Sequence, residues 1–243
     1  MRHGAAVLQD ITAQIPGPGL TAVIGPNGAG KSSLLHCMAG LLAADAGRLR
    51  VDGIDIAAAR PADRARIVAL LTQTTPSLPR LTVAELVGFG RWPHHRGRPT
   101  AQDHAVVDAA LDEFDLRALA QRRLDTLSGG QRQRAYVAMA HAQATPWMFL
   151  DEPLAALDPK FARDIMQRLH ALSRPGAGRG IVVVLHDLAM AARHADWVVA
   201  LKAGRLVASA PVAEVMTDAG LSDLFDTDIR VAELQGRPVV YVA

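Results

Sequence analysis

The chain has 243 residues, 50% of them hydrophobic and only 4% aromatic, which is enough for one large domain, or a core domain with an inserted subdomain, around an Ala/Leu/Val-rich interior. A formal net charge of +2 offers no basic face for nucleic acid, and the single cysteine, Cys37, rules out an internal disulfide and suits a reducing compartment. The N-terminus has no apolar run with a cleavage site, and the longest apolar stretches, such as residues 180–185, fall far short of the ~20 residues that span a bilayer, so any membrane role belongs to a partner.

Along the chain, strands alternate with helices, which predicts a largely parallel sheet covered by helices. A short apolar run at 20–24 ends in a glycine loop, and 31–42 follows with helical spacing. Residues 48–55 read as strand, turn, strand, because Asp52-Gly53 suits a tight hairpin. Residues 67–71, 147–150 and 181–185 are continuous apolar runs of the buried-strand type. Residues 197–202 and 205–209, joined by Ala203-Gly204, read as a closing hairpin.

Between Gln73 and Trp147 the texture changes. Residues 82–92, 101–114 and 129–143 have helical period, linked by Pro- and Arg-rich pieces such as 93–99. The prediction is a mostly helical subdomain at 76–143, inserted into an α/β core made of 1–75 and 144–243. Pro159 fits the first turn of a helix running to Ser173, and 175–180 reads as an exposed turn.

Gly25-Pro26-Asn27-Gly28-Ala29-Gly30-Lys31-Ser32 matches the P-loop pattern in full, between a strand and a helix. Its glycines let backbone N–H groups converge on phosphate oxygens, and the helix start adds the positive end of its dipole. Lys31 is placed to reach the β- and γ-phosphates, Ser32 to ligate Mg²⁺, and Ser33 to complete the nucleotide-binding set. The strand Trp147-Met148-Phe149-Leu150 ends in two carboxylates. Asp151 is placed for Mg²⁺ and Glu152 to orient or deprotonate the attacking water. Leu127-Ser128-Gly129-Gly130-Gln131 opens a helix with a good N-cap and exposed backbone N–H groups.

With that pentapeptide, the sequence resembles an ABC transporter nucleotide-binding subunit over nearly its whole length. The resemblance implies an α/β P-loop NTPase fold: a RecA-like core, a small antiparallel β subdomain and the inserted helical subdomain. It makes Leu127-Ser128-Gly129-Gly130-Gln131 the family's signature motif, with Ser128, Gly129, Gly130 and Gln131 contacting ATP. Gln73 matches the Q-loop that touches Mg²⁺ or the water, Asp158 the D-loop at the dimer interface, and His186 the switch histidine at the γ-phosphate. Singly, these three read as a polar strand end, a helix cap and a histidine at a strand terminus; the order and spacing of the set argue for the family.

The stretch Gly88-Phe89-Gly90-Arg91-Trp92-Pro93-His94-His95-Arg96-Gly97-Arg98, with Asp103-His104 and residues 130–139, resembles importers of ferric siderophores and, more distantly, of haem and cobalamin. His94-His95 reads as a solvated loop pair rather than a metal site. The resemblance implies an ATPase that works as a homodimer with integral-membrane permease subunits, and indirectly a substrate-binding protein, at the cytoplasmic face of the inner membrane. In the family, residues 88–98 lie near the groove that receives the permease's coupling helix.

The family's first strand ends in an aromatic residue stacked on adenine. Here the chain starts at about that point with His3 in the aromatic's place, so part of the antiparallel subdomain is expected to be missing, whether through a late start codon or a shortened subunit. Ala155 stands where a D-loop hydroxyl is common. The rival readings are a non-transport ABC ATPase, which lacks an importer-like 76–98 region, and a P-loop small-molecule kinase, which has no Leu-Ser-Gly-Gly-Gln.

Overall fold

The computed structural model describes residues 7–73, 80–155, 157–174, 176, 178–234 and 237–243. The continuous apolar runs form the middle of a six-stranded sheet. Its strands are β1 (Gly19–Ile24), β4 (Val68–Leu71), β5 (Trp147–Asp151), β6 (Gly180–Val184), β7 (Trp197–Lys202) and β8 (Arg205–Pro211), in the order β4-β5-β6-β1-β7-β8. All neighbours are parallel except the β7–β8 hairpin. Every residue of β6 is buried, because both faces of the sheet are covered.

Alternate side chains go to opposite faces. Val23, Phe149, Val182, Val184, Val199 and Leu201 pack with Leu34 and Leu35 of α1 (Lys31–Met38). Ala22, Ile24, Met148, Leu150, Ile181 and Val183 pack on the other side with helices other than α1. Among those, α7 (Pro159–Ser173) buries Ala162, Ile165, Met166 and Leu169, the i, i+3, i+4, i+7 stripe of a helix lying on a sheet.

Two short antiparallel strands, β2 (Arg50–Val51) and β3 (Ile54–Asp55), flank Asp52-Gly53, whose φ values of 50° and 75° fit the expected tight turn. The short helix α2 (Pro61–Arg64) leads into β4. After it come α3 (Val83–Phe89), α4 (Trp92–His95), α5 (Ala101–Glu113) and α6 (Gly129–Ala142), of which α3, α5 and α6 pack on one another and α6 reaches back to β4. The run 82–92, expected as one helix, is two. Its middle glycine, Gly90, passes so close to α6 that a Cβ there would lie 2.2 Å from the Met139 carbonyl oxygen. The expected loop at 93–99 begins inside α4, where Pro93 sits in the first turn.

Beyond the hairpin, α8 (Leu188–His194) having preceded it, the chain adds α9 (Val212–Val215), α10 (Asp218–Phe225) and an antiparallel pair, β9 (Ile229–Leu234) and β10 (Arg237–Val242). Among the described residues no helix is long and apolar enough to cross a membrane.

Two histidines are folded into this frame as neutral rings. His141 Nδ1 accepts from the Arg179 guanidinium at 2.9 Å, and Arg179 Nε donates to the Thr145 carbonyl at 2.9 Å, joining α6 to the entry of β6. Burial, with the Arg179 charge, lowers the His141 pKa from 6.5 to about 4. Burial likewise takes His194 to about 4, helped by His170 and Arg193. Both folded values lie below the unfolded one. Their stability contribution is therefore complete above about pH 6.5 and is lost as pH falls toward 4, at up to about 1.4 kcal/mol per pH unit for each proton. Urea unfolding at pH 7 and pH 5 is expected to show this loss. His141→Gln, which keeps an acceptor for Arg179 but does not titrate, is expected to flatten the pH dependence by about one proton; an unchanged slope would place the titration elsewhere.

Candidate functional site

The P-loop leaves β1 at Gly25, whose φ of 144° and close approach to β7 admit no side chain: a Cβ would stand 2.0 Å from the Leu201 carbonyl oxygen. Gly28 and Gly30 turn the loop at φ 77° and 95°, with Asn27 exposed at its crest. Ala29 N–H donates to Pro26 O at 3.2 Å, and Gly204 N–H, in the β7–β8 turn, donates to Ala29 O at 3.2 Å, so the hairpin props the loop. Gln9 N–H in turn donates to Gly204 O at 2.8 Å.

No side chain caps α1, which leaves its first-turn N–H groups for an anion. Lys31 is 6% exposed, and its ammonium folds back onto Gly25 O (2.8 Å) and Pro26 O (3.0 Å). Burial lowers its pKa, while Glu152 and Asp151 pull it the other way. Uncapped donors, a loop without side chains at its turns and a cation on its wall fit a phosphate chain.

Register brings three strand ends together. Leu71 pairs with Leu150 and Asp151 with Val184, so Gln73, Glu152 and His186 stand in a row just past β4, β5 and β6. Gln73 Nε2 donates to Glu152 Oε2 at 2.7 Å, and His186 Nε2 lies 2.7 Å from Oε1. Both oxygens of Glu152 are engaged, and the residue holds a left-handed φ of 50°, a strained conformation for a side-chain-bearing residue. Beneath it, Asp151 is 1% exposed, accepts from Ser32 Oγ at 2.9 Å through Oδ1, and faces His36 Nε2 at 3.4 Å through Oδ2. Burial raises its carboxyl pKa, opposed by the Ser32 hydrogen bond and by the neighbouring His36. Among the described residues no group of three or more His, Cys, Asp or Glu forms a metal cage. The pair Ser32–Asp151 suits Mg²⁺, which takes one or two protein oxygens and fills its shell with phosphate and water.

Ser128 is the N-cap of α6 in a reciprocal capping box. Gln131 N–H donates to Ser128 Oγ (3.3 Å), and Ser128 N–H donates to Gln131 Oε1 (3.1 Å). Ser128 and Gly129 are exposed, and among the described residues no hydrogen bond joins them to the P-loop. A Cβ on Gly130 would lie 3.3 Å from the Phe161 ring, and Arg134 lies over the same ring at 5.1 Å, setting the first turns of α6 against the start of α7. Asp158 occupies the N-cap of α7 but forms no side-chain capping bond and is exposed. His3 lies outside the described residues. Sequence reasoning passed over His36. Its signal was its place four residues after Ser32, on the same helix face.

His94 and His95 are not a solvated pair: both are half-buried. His94 Nε2 meets Gln143 O at 2.8 Å, and His95 Nδ1 accepts from Gly97 N–H at 2.9 Å. These bonds explain the histidines without a metal.

A glycine loop between a parallel strand and an uncapped helix, with a lysine on its wall and a strand-end aspartate below, defines a P-loop NTPase. Residues 8–155 match the family described as ABC transporter, and the chain belongs to that family. It is 42% identical over 218 residues to the petrobactin import ATP-binding protein FatE of Bacillus anthracis, covering 90% of this chain and 87% of that protein. It is 40% identical to the hemin import ATP-binding protein HmuV of Pseudomonas entomophila (95% and 91% covered) and 38% identical to the iron(3+)-hydroxamate import ATP-binding protein FhuC of Bacillus subtilis (93% and 84%). The ATP-binding cassette MJ0796, solved as a dimer in a post-hydrolysis state bound to ADP and Pi, superposes with a TM-score of 0.78 at 26% identity, covering 87% of this chain and 94% of that one. The chain is an ATP-binding ATPase of this family.

Proposed function

We propose that the chain is the nucleotide-binding subunit of an importer of ferric siderophores, hydrolysing ATP to ADP and phosphate. The observation that carries the importer reading is the 42% identity, across 90% of the chain, to a petrobactin import ATP-binding protein. Lys31 and the N–H groups of Gly28 and of residues 30–33 bind the triphosphate. Ser32, Asp151 and Gln73 are the residues that would hold Mg²⁺, which would supply charge neutralisation for the phosphates. Glu152 accepts a proton from the attacking water, and His186 fixes Glu152 and faces the γ-phosphate.

Ser128, Gly129, Gly130 and Gln131 complete the site of a second copy, with Asp158 at the seam between the two, in a head-to-tail homodimer. Permease subunits dock on the face where Phe89 and Trp92 are 48% and 54% exposed, which sets the chain at the cytoplasmic side of the membrane, with a substrate-binding protein acting from beyond the permease. The test is uptake of radio-iron carried by a catecholate or hydroxamate siderophore, in cells with and without the gene. Uptake lost on deletion and restored by the wild-type chain, but not by Lys31→Ala, is the expected result. Loss confined to haem or cobalamin uptake would reassign the cargo, and unchanged uptake of all three would refute the importer role.

A further inference from the structure

The inward-facing groups of the segment around Arg91 converge on one place, the C-terminal end of α6. Arg91 is 7% exposed, its guanidinium donating to Ala142 O at 3.0 Å and to Asp103 Oδ1 at 3.0 Å. Asp103 is itself buried and takes the Thr100 N–H (2.9 Å) and hydroxyl (2.7 Å) on its other oxygen. Those two bonds, with Arg91 beside them, hold its carboxyl well below the usual range, so it stays the anion Arg91 needs. His94 meets Gln143 O at 2.8 Å, and the Gln143 amide donates to Ala65 O and Val68 O at 2.7 and 3.1 Å, fastening this end to the approach of β4. A cation on the last carbonyls of a helix also complements its dipole.

Among the described residues no hydrogen bond joins this clamp to the P-loop, Asp151 or Glu152. Its reach is through α6. That helix has 14 residues and carries Ser128 at its other end, ~20 Å away at 1.5 Å per residue. Fixing the direction of one end of a stiff rod fixes the place of the other.

We propose that Arg91 is a positioning residue for ATP hydrolysis, setting through α6 where Ser128 stands when it meets the partner's nucleotide. This rests on the shared-site reading of Ser128. The test uses the full chain with Arg91→Met and Arg91→Lys, each alone and combined with Ser128→Ala. It measures phosphate release and the binding of a fluorescent ATP analogue. Arg91→Met is expected to lower kcat about 10-fold while analogue affinity stays within about 2-fold, because Lys31, Ser32 and Asp151 stand on other elements. Arg91→Lys, which keeps a charge at Ala142 O, is expected to recover part of the loss. In the Ser128→Ala background Arg91→Met is expected to cost at most about 3-fold, the non-additivity of residues that act together.

An unchanged kcat, a parallel loss of affinity, or full additivity with Ser128→Ala would overturn the proposal. If Arg91→Met does not fold, Asp103→Asn withdraws the same ion pair while keeping its shape and is judged by the same outcomes. Ser128→Ala turning over at the wild-type rate would instead refute the shared site, and a surviving Arg91 effect in that case would show that Arg91 does not act through Ser128.

Discussion

Glu152→Gln is expected to lower ATP turnover by about 10²-fold or more while ATP still binds. The substitution keeps the size of the side chain but removes the proton acceptor. The geometry adds a second consequence. Gln73 Nε2 and His186 Nε2 each approach one oxygen of Glu152, at 2.7 Å in both cases. A glutamine amide has one oxygen, so it accepts from only one of them, and its NH₂ can bond to His186 only if that ring presents Nε2 as an acceptor. The variant therefore also loosens the link between strand ends β4, β5 and β6. ATP affinity is expected to survive because the phosphate-binding groups, Lys31 and the uncapped start of α1, stand on a different element. Phosphate release measured beside fluorescent-nucleotide titration separates the two effects. Near-normal turnover would show that Glu152 does not handle the water, and lost affinity would mean that its main work is architectural.

Much of this site was legible because its chemistry is written in contiguous residues. The P-loop, the Asp151-Glu152 strand end and the Ser128 helix start each need only local backbone geometry: glycines at turns, an N-cap, a buried apolar strand. Pro159–Ser173 was legible for the same reason, since one proline and one apolar stripe define it. What could not be read was what depends on register and packing. That Gln73 and His186 hold opposite oxygens of Glu152 follows from Leu71 facing Leu150 and Asp151 facing Val184, which no periodicity specifies. The run 82–92 reads as one helix because its helical period carries through Gly88 and Gly90. What periodicity does not show is that Gly90 sits where α6 comes so close that a Cβ would lie 2.2 Å from the Met139 carbonyl oxygen. His94 looked solvated because its partner, Gln143 O, lies 49 positions away. Beyond residue 211, helices of 4 and 8 residues and a hairpin carry too little pattern to declare themselves.

Mixed dimers carrying Lys31→Ala and Ser128→Arg are expected to hydrolyse ATP only when the two substitutions lie on opposite subunits. The motive is a mismatch inside one chain. The P-loop fits a phosphate chain, and the glycine-rich start of α6 offers free donors, yet Ser128 and Gly129 are exposed, and among the described residues no hydrogen bond joins them to that loop. One γ-phosphate uses both only if the second set comes from another copy. Lys31→Ala removes the ammonium held by Gly25 and Pro26, and Ser128→Arg places a long side chain where the capping box now stands. With both substitutions in one subunit and none in its partner, each shared site has one damaged half, so neither works. On opposite subunits, both defects fall in the same site and the other is whole. Sites built within single subunits predict the reverse, since the first arrangement would leave one subunit untouched. Nucleotide occupancy is measured with turnover, because strong cooperativity can silence a lone intact site while it still traps ATP. Turnover or trapping in the first arrangement, with neither in the second, would overturn the shared site.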